Sequence, residues 1–337
     1  MNAVRAVPVT LWRLLRLWGE GAAALFGLLR EAIAIWRRDD GGRKAILPTM
    51  GPKLLLPEGQ RRVFAVLRAF LPNLVLSRVL VKAYENTGTV IVTRREDVLE
   101  VLSRDADFEV VYAPRMGMIT EGSNFFLGMQ PGWPYERDVS AMRLAARRAD
   151  VTEIVLPRVE SRAREIVAEA GGSLDVAKDL AGPIPAEMVG FYFGTPGPSR
   201  EQMIDWTTTL FWYLFGDLGA DPGLGLRAQN AASGLRDYLG ETIAARKASG
   251  DTHDDVLGRC LALQAAGTPG MDDRGIRDNL IGLVIGAVPT IAKAATLALD
   301  ALFDRPEALA GAHRAAASGD AAAFEGYVWE ALRFNPH

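Results

Sequence analysis

The sequence has very few of the residues that build disulfide frameworks and metal sites. One cysteine, Cys260, and three histidines, His253, His313 and His337, occur among 337 residues. A single cysteine excludes an intrachain disulfide and a C-x-x-C metal site, and the histidines lack the spacing of metal ligands. We therefore predict no metal ligand among these residues and a reducing, cytoplasmic location, with peripheral membrane contact left open.

An excess of basic residues is also missing. The net charge is −3, and no stretch alternates aromatic residues with Lys or Arg, so the sequence indicates no nucleic-acid partner. Apolar residues make up 49% of the chain and charged residues 23%, as in ordinary globular proteins. The chain is long enough for one large domain or two smaller ones with a substantial core.

The N-terminal segment lacks an apolar run long enough to span a membrane. Arg13 and Arg16 interrupt the run, which also argues against a secretory signal. Apolar residues mixed with arginines in this way are typical of an amphipathic helix lying in a membrane interface, although packing on the protein itself explains them equally well. We predict an N-terminal extension over residues 1–42, ending in a linker at 39–42, and a main domain over 43–337, with possible peripheral membrane contact through residues 1–38.

After the linker, one short β portion precedes many helices. Residues 88–93 read as a strand, and Thr93 and Glu96 predict a capping box for the helix that follows. Beyond it, apolar residues recur at helical spacing. Asp272 or Asp273 is expected to cap one long helix, and Pro306 to begin the next. The predicted fold class is therefore mainly α with a small β-sheet.

The long helix contains a conflict between pattern and propensity. Gly286, Pro289 and Thr290 interrupt it, although an interior proline costs about 3 kcal/mol and a glycine about 1 kcal/mol. A harmless kink is one explanation. The other is a helix broken beside a ligand, where glycine permits close approach and the threonine hydroxyl bonds something other than its own backbone.

Several segments together make the chain similar to the cytochrome P-450 family of heme-thiolate enzymes, from about Leu47 onward. A lone E-x-x-R is a weak signal, but its combination with a following N-P and with the preceding segments is specific. The resemblance implies a cytochrome P-450-like fold with heme as the cofactor. The segments that carry it are TVIVTRREDVLEVL, PGWPYERDVSAMR, LDVAKDLAGPIPAEMVGFYFG, DDRGIRDNLIGLVIGAVPT, DRPEAL and VWEALRFNP.

The resemblance implies heme contacts in the segment that begins at Trp133. Trp133 and Arg137 match the W-x-x-x-R form of the helix that contacts the heme propionates, so Arg137 is the predicted propionate contact. Trp133 or Tyr135 would provide a second donor. Arg143 and Arg147 are the alternative, and a solvated basic face is the explanation that needs no heme.

The interrupted long helix corresponds to the one that borders the heme. Gly286 and Ala287 would then lie against the cofactor, and Thr290 would be the catalytic residue. Monooxygenase members usually have an acid immediately before this threonine, and the pair delivers protons during oxygen activation. This chain has Pro289 there, so oxygen activation by the usual route is in doubt.

The C-terminal segment carries the family's structural E-x-x-R pair, Glu330 and Arg333. In the family, a loop with the cysteine ligand of the heme iron follows this pair. Cys260 precedes the pair and lies on an apolar helical pattern, so it is predicted to be a buried small residue. We therefore expect a chain truncated before the heme ligand, with the C-terminal portion of the fold missing, and inactive by itself.

Three functions remain open. The first is a heme-dependent monooxygenase whose complete protein oxidises an apolar organic substrate with a redox partner. The second is a peroxide-using peroxygenase or hydroperoxide isomerase of the same family, and the third is a heme-free helical binding or scaffold fragment. Residues 112–126 and 205–215, rich in apolar side chains, correspond to the family's substrate walls.

Overall fold

A computed structural model describes residues 6–38, 43–54, 56–77 and 81–334. The chain forms two compact units, one ending at Glu109 and one beginning at Val110. The predicted linker at 39–42 and the Asn335-Pro336 pair lie outside the described residues. Within them the fold is mainly α with one small sheet, which confirms the predicted fold class.

The first unit contains four helices and a two-stranded antiparallel sheet among its described residues. α1 packs against α3, where Gly21 brings the two helices so close that a Cβ there would collide with Ala69. In the sheet, Asn73 pairs with Val92 and Leu76 with Thr89. The elements are α1 (Ala6–Arg38), α2 (Arg43–Leu54), α3 (Pro57–Phe70), β1 (Asn73–Leu76), β2 (Thr89–Val92) and α4 (Arg95–Leu102).

The predicted capping box before α4 is wrong. The hydroxyl of Thr93 donates to the carbonyl oxygen of Pro72 at 3.0 Å, and its backbone N–H donates to the same oxygen. These two hydrogen bonds join Thr93, at the end of β2, to Pro72, the residue before β1. Arg94, which precedes α4, makes no side-chain capping bond.

The second unit contains helices joined by loops, and no strand, among the residues that the structure describes. α12 packs against α8, α9, α10 and α14, and its residues Leu280, Val284 and Val288 are fully buried. The helices are α5 (Ala113–Ile119), α6 (Trp133–Ala145), α7 (Leu156–Glu169), α8 (Pro183–Phe193), α9 (Arg200–Phe211), α10 (Pro222–Ser249), α11 (Val256–Ala265), α12 (Asp273–Phe303), α13 (Pro306–Ser318) and α14 (Ala321–Phe334).

Two predicted helix starts are confirmed. Asp272 caps α12 by accepting a hydrogen bond from the backbone N–H of Gly275 at 2.7 Å, and α13 begins at Pro306. α12 is also the one described helix long and apolar enough to cross a membrane by length and composition. Most of its buried residues lie between Ile276 and Val288, and that part of the helix packs in the core of the second unit.

The hypothesis of a broken helix is wrong for α12. The helix is continuous from Asp273 to Phe303 and includes Pro289. Proline removes one backbone donor, but burial of the apolar side chains around it favours the helical path. The hydroxyl of Thr290 bonds to the carbonyl oxygens of Gly286 and Ala287 in the preceding turn, so it is not freed for another partner.

Candidate functional site

A pocket of about 420 Å³ lies between α6, α12 and the turn that precedes α6. We call it the α6–α12 pocket. Apolar side chains form most of its wall, while Tyr135 and Arg143 are the polar groups that reach it. A mostly apolar wall with a few polar groups is typical of small-molecule and cofactor sites. The lining residues are Phe126, Leu127, Met129, Tyr135, Val139, Met142, Arg143, Ala146 and Leu283.

Helical spacing brings the polar groups of α6 to one face. Tyr135, Val139 and Arg143 are each four residues apart, which places them on one side of the helix in successive turns. Tyr135 is half-buried and Arg143 is exposed. Arg143, one of the two alternatives to Arg137, therefore lines the pocket. Arg147 does not, since its guanidinium Nε donates to the carbonyl oxygen of Leu144 at 3.1 Å.

One face of α12 continues the pocket wall. Leu283, Gly286, Ala287 and Thr290 recur at helical spacing and are all half-buried, whereas the residues on the core side are fully buried. A Cβ on Gly286 would have only Leu127 Cδ1 within reach, at 3.9 Å. The two small residues thus leave a shallow, uncrowded surface beside the pocket.

No acidic side chain accompanies Thr290 on this turn of α12. Its hydroxyl is committed to the helix backbone, and Pro289 occupies the preceding position. Proline has no N–H to donate to the carbonyl oxygen of Ile285 one turn earlier. That oxygen is therefore available to accept a hydrogen bond from another group. This arrangement provides an acceptor but no proton donor.

The structure does not bring Trp133 and Arg137 to the pocket. Trp133 begins α6 and is 72% exposed. Arg137 points to the other side of the helix, where its Nε donates to Asp138 Oδ1 at 2.6 Å beside Gly270, and this hydrogen bond raises the pKa of Arg137. Residues two apart on a helix differ by about 200° in direction, so Tyr135 and Arg137 cannot face one cavity.

A buried ionic cluster, which the sequence analysis missed, fixes the end of α6. Arg259 donates to Asp150 Oδ2 at 2.5 Å and to the carbonyl oxygen of Ala145 at 3.0 Å, and the Tyr192 hydroxyl donates to Asp150 Oδ2 at 2.9 Å. We call Asp150, Tyr192 and Arg259 the Asp150 clamp. No local sequence pattern predicts this cluster, because its members come from distant parts of the chain.

Electrostatics within the clamp favour the charged pair. Burial by itself would raise the pKa of Asp150, but hydrogen bonds from Arg259 and Tyr192 outweigh it and hold the pKa below the usual value. Burial and the bond to Asp150 raise the pKa of Tyr192 to about 12. Asp150 therefore stays ionised and Tyr192 neutral at physiological pH, and the clamp holds α6 against α8 and α11.

Cys260 is a packing residue, as predicted. It is completely buried on α11, and its Sγ lies 3.9 Å from Met142 Sδ, behind the pocket wall. Burial raises the pKa of the Cys260 thiol to about 12. The thiol is therefore protonated at physiological pH and has no path into the α6–α12 pocket.

The two segments predicted as substrate walls contact each other. The rings of Tyr112 and Phe215 meet edge to face with centroids 5.0 Å apart. A buried ion pair lies next to them, with Arg115 Nη2 3.0 Å from Asp217 Oδ2 and the guanidinium over the Tyr213 ring. The walls are thus joined by both apolar and ionic contacts.

Glu330 and Arg333 pair with each other near the end of α14. Two hydrogen bonds join them, at 2.6 and 2.8 Å, and both side chains are more than half exposed. The bond from Arg333 lowers the pKa of Glu330. Such a pair adds little to stability by itself.

Comparisons with known proteins find relatives that align with only part of this chain. No protein-family model matches the chain. Cyclomarin C epoxidase CymV of Salinispora arenicola is 27% identical over 202 residues, which cover 59% of this chain and 48% of CymV. Erythromycin C-12 hydroxylase of Saccharopolyspora erythraea is 29% identical over 180 residues, 53% of this chain and 43% of that enzyme. The chain spans less than half the length of these relatives.

Solved structures align over more of the chain. P450BioI, in a complex with an acyl carrier protein ligated to hexadec-9Z-enoic acid, has a TM-score of 0.69 at 18% identity, covering 84% of this chain and 69% of that chain. A mutant of P450 EryK in complex with erythromycin B has a TM-score of 0.64 at 24% identity, covering 85% and 67%. At these identities the likeness concerns the fold alone.

Proposed function

We propose that this chain, whose fold is that of the cytochromes P450, is part of a heme-dependent oxidoreductase that oxidises an apolar organic substrate. The observation that carries the proposal is the half-buried, small-residue face of α12 beside the α6–α12 pocket. Its partial relatives are an epoxidase and a hydroxylase, which supports a monooxygenase-type reaction.

The residues around the pocket fit a heme. A flat macrocycle needs small side chains on one wall, and Gly286 and Ala287 supply them. Its propionates need donors at the rim, and Tyr135 and Arg143 are the polar groups of the pocket. Apolar Leu127 and Leu283 would exclude water. We propose Arg143 and Tyr135 as the propionate contacts, in place of Arg137 and Trp133.

Heme, when bound, supplies the oxidation chemistry, and this chain's residues bind and orient. Tyr135 and Arg143 would fix the rim of the cofactor, and Thr290 would lie one turn along α12 from Gly286. Cys260 does not suit the role of axial thiolate, being buried behind Met142 with its thiol protonated. We propose that the ligand comes from outside these 337 residues and that the chain alone is inactive.

A peroxide-using reaction is the second candidate, and Pro289 favours it. Delivery of protons to dioxygen needs a titratable group near Thr290, whereas the hydroxyl of Thr290 bonds to its own helix and Pro289 has no proton to give. A peroxide arrives already reduced and protonated. For the monooxygenase route, we propose a redox partner as the source of electrons. Separately, we propose that residues 1–38 make the peripheral membrane contact.

The test is hemin binding by the purified chain, followed through quenching of tryptophan fluorescence. Hemin and its dimethyl ester are compared, because the ester lacks the propionate charges. We expect Arg143→Gln to weaken hemin binding about tenfold, as loss of a charge-assisted hydrogen bond does, and to leave ester binding unchanged. Arg148→Gln, an exposed arginine outside the pocket, is the matched control.

Reduction under carbon monoxide completes the test. The chain alone should give no thiolate-type Soret band, whereas the product of the gene read past the His337 codon should give one if a cysteine loop follows. Identical affinity of hemin for the chain and both variants would remove Arg143 from the site. Failure of hemin to bind any of them would favour a heme-free helical protein.

A further inference from the structure

Helix α1 has two apolar faces, and α3 packs closely against one of them. Leu17, Gly21, Ala24 and Leu28 lie on the face toward α3, and Gly21 is buried there against Ala69. A second row of large apolar side chains follows the helix about 120° away. The row is exposed over its whole length, unlike the face that packs on α3.

The second row is regular and long. Its members are three or four residues apart, except for the two-turn step of eight residues from Trp18 to Phe26, so they lie in line along the helix. From Leu11 to Trp36 it spans 25 residue steps, or about 38 Å at 1.5 Å per step. We call it the α1 stripe, and its residues are Leu11, Leu15, Trp18, Phe26, Leu29, Ile33 and Trp36.

The charges beside the stripe are mostly positive. α1 carries five arginines and two glutamates, a net charge of +3 in a chain whose total is −3. Both glutamates are already neutralised, Glu20 by Arg16 at 2.7 Å and Glu31 by Lys53 at 2.8 Å. At 100° per residue, Arg30 and Arg37 lie on the surface next to the apolar row, whereas both glutamates lie on the opposite side of the helix.

This charge pattern decides between two occupants of the stripe. A second copy of the chain would bring arginines against arginines across the contact, and like charges at that distance repel. An anionic lipid surface has the complementary charge, and long arginine side chains reach its head groups while the apolar row enters the acyl boundary. Trp18 and Trp36 near the middle and end of the row suit the same boundary.

We propose that the α1 stripe docks on a membrane that contains anionic lipids, with α1 lying in the interface and not crossing it. The inference deepens the membrane contact proposed for residues 1–38 and is independent of the heme chemistry. Each stripe side chain has about half of its surface still to bury, as the 53% exposure of Trp18 and 52% of Leu29 illustrate. Burial of that remainder would drive docking.

The experiment is cosedimentation of the full chain with vesicles of phosphatidylglycerol mixed with phosphatidylcholine, and with vesicles of phosphatidylcholine alone. We expect binding to the anionic vesicles that weakens as salt is added, since surface charges are screened. Trp18→Ser combined with Leu29→Ser should weaken it roughly 30-fold, about fivefold for each half-exposed side chain.

The control replaces two exposed apolar residues of α4 in the same unit, Leu99→Ser with Leu102→Ser, and should leave binding unchanged. Circular dichroism verifies that each variant is folded, as expected for exposed positions. Equal binding by the chain and the stripe variant would overturn the proposal. So would a concentration-dependent dimer that only the stripe variant abolishes, because the occupant would then be a second copy. None of these measurements depends on heme.

Discussion

Replacing Gly282 or Gly286 with alanine tests how firmly α12 supports the wall of the α6–α12 pocket. Both glycines lie in the interior of the same helix, one turn apart. A Cβ on Gly282 would press on the ring of Phe125, with Cγ and Cε2 each 2.8 Å away, whereas a Cβ on Gly286 would meet only Leu127 Cδ1 at 3.9 Å. The same substitution therefore has opposite steric consequences at the two positions.

The expected effects follow from two contributions. Alanine in place of glycine in a helix interior adds about 1 kcal/mol to the free energy of unfolding. At Gly282 this gain is opposed by overpacking against Phe125, a fully buried side chain, at a cost of about 1–3 kcal/mol. We expect Gly286→Ala to stabilise by about 1 kcal/mol and Gly282→Ala to destabilise by about 1 kcal/mol.

Thermal and urea unfolding measure the difference. For a unit of this size, 1 kcal/mol corresponds to about 2–4 °C in Tm, so the two variants should differ by about 4–8 °C. Phe125 directly precedes the turn that lines the pocket, and its displacement should also weaken hemin binding in Gly282→Ala. If both variants shift Tm equally and in the same direction, Phe125 yields freely and the pocket wall is not rigid.

Two further predictions concern the clamp and the proline. Because the pKa of Asp150 lies below its usual value, its contribution to stability is complete above the unfolded-state pKa of about 3.9 and is lost as the pH falls through the folded-state pKa. Asp150→Asn should cost about 3 kcal/mol in urea unfolding at neutral pH, and the difference from the unmodified chain should shrink as the pH falls from about 4 through the lower folded-state pKa; a constant difference would show that ionisation of Asp150 is not what stabilises the protein. In a heme-loaded protein with its axial ligand, Pro289→Asp should raise product formation from dioxygen and a reductase relative to peroxide. Unfolding of the same variant must be measured, because it also regains a backbone donor. Efficient dioxygen use by the unmodified protein, with no product from peroxide, would refute this reading of Pro289.

Local sequence patterns predicted the elements of this fold well. The helical periodicity of the long segment, the cap at Asp272 and the proline at the start of α13 are all local signals, and each agrees with the structure. Thr93 misled the prediction because its hydroxyl, which a capping box needs as an acceptor for a helix N–H, donates instead to the carbonyl oxygen of Pro72. Proline at 289 also misled, since burial of the surrounding side chains outweighs its local cost.

The site was predicted less completely, for two different reasons. That Arg143 shares the pocket with Tyr135 could have been predicted from sequence, because counting along α6 puts both on one face and puts Arg137 on the other. The Asp150 clamp could not have been predicted, because a charge pair between Asp150 and Arg259 leaves no periodic trace. Such pairs become visible only once the packing of several helices is known.

The distance along the chain between the members of the Asp150 clamp has a kinetic consequence. Asp150 and Arg259 are separated by 109 residues, a stretch that includes α7, α8, α9 and α10. Contacts of such long range close large loops, and the entropy of closure is repaid only after the intervening helices have formed and packed. We therefore expect the clamp to form in the late steps of folding. Amide protons near Ala145 should gain protection from hydrogen exchange only as the second unit completes its assembly.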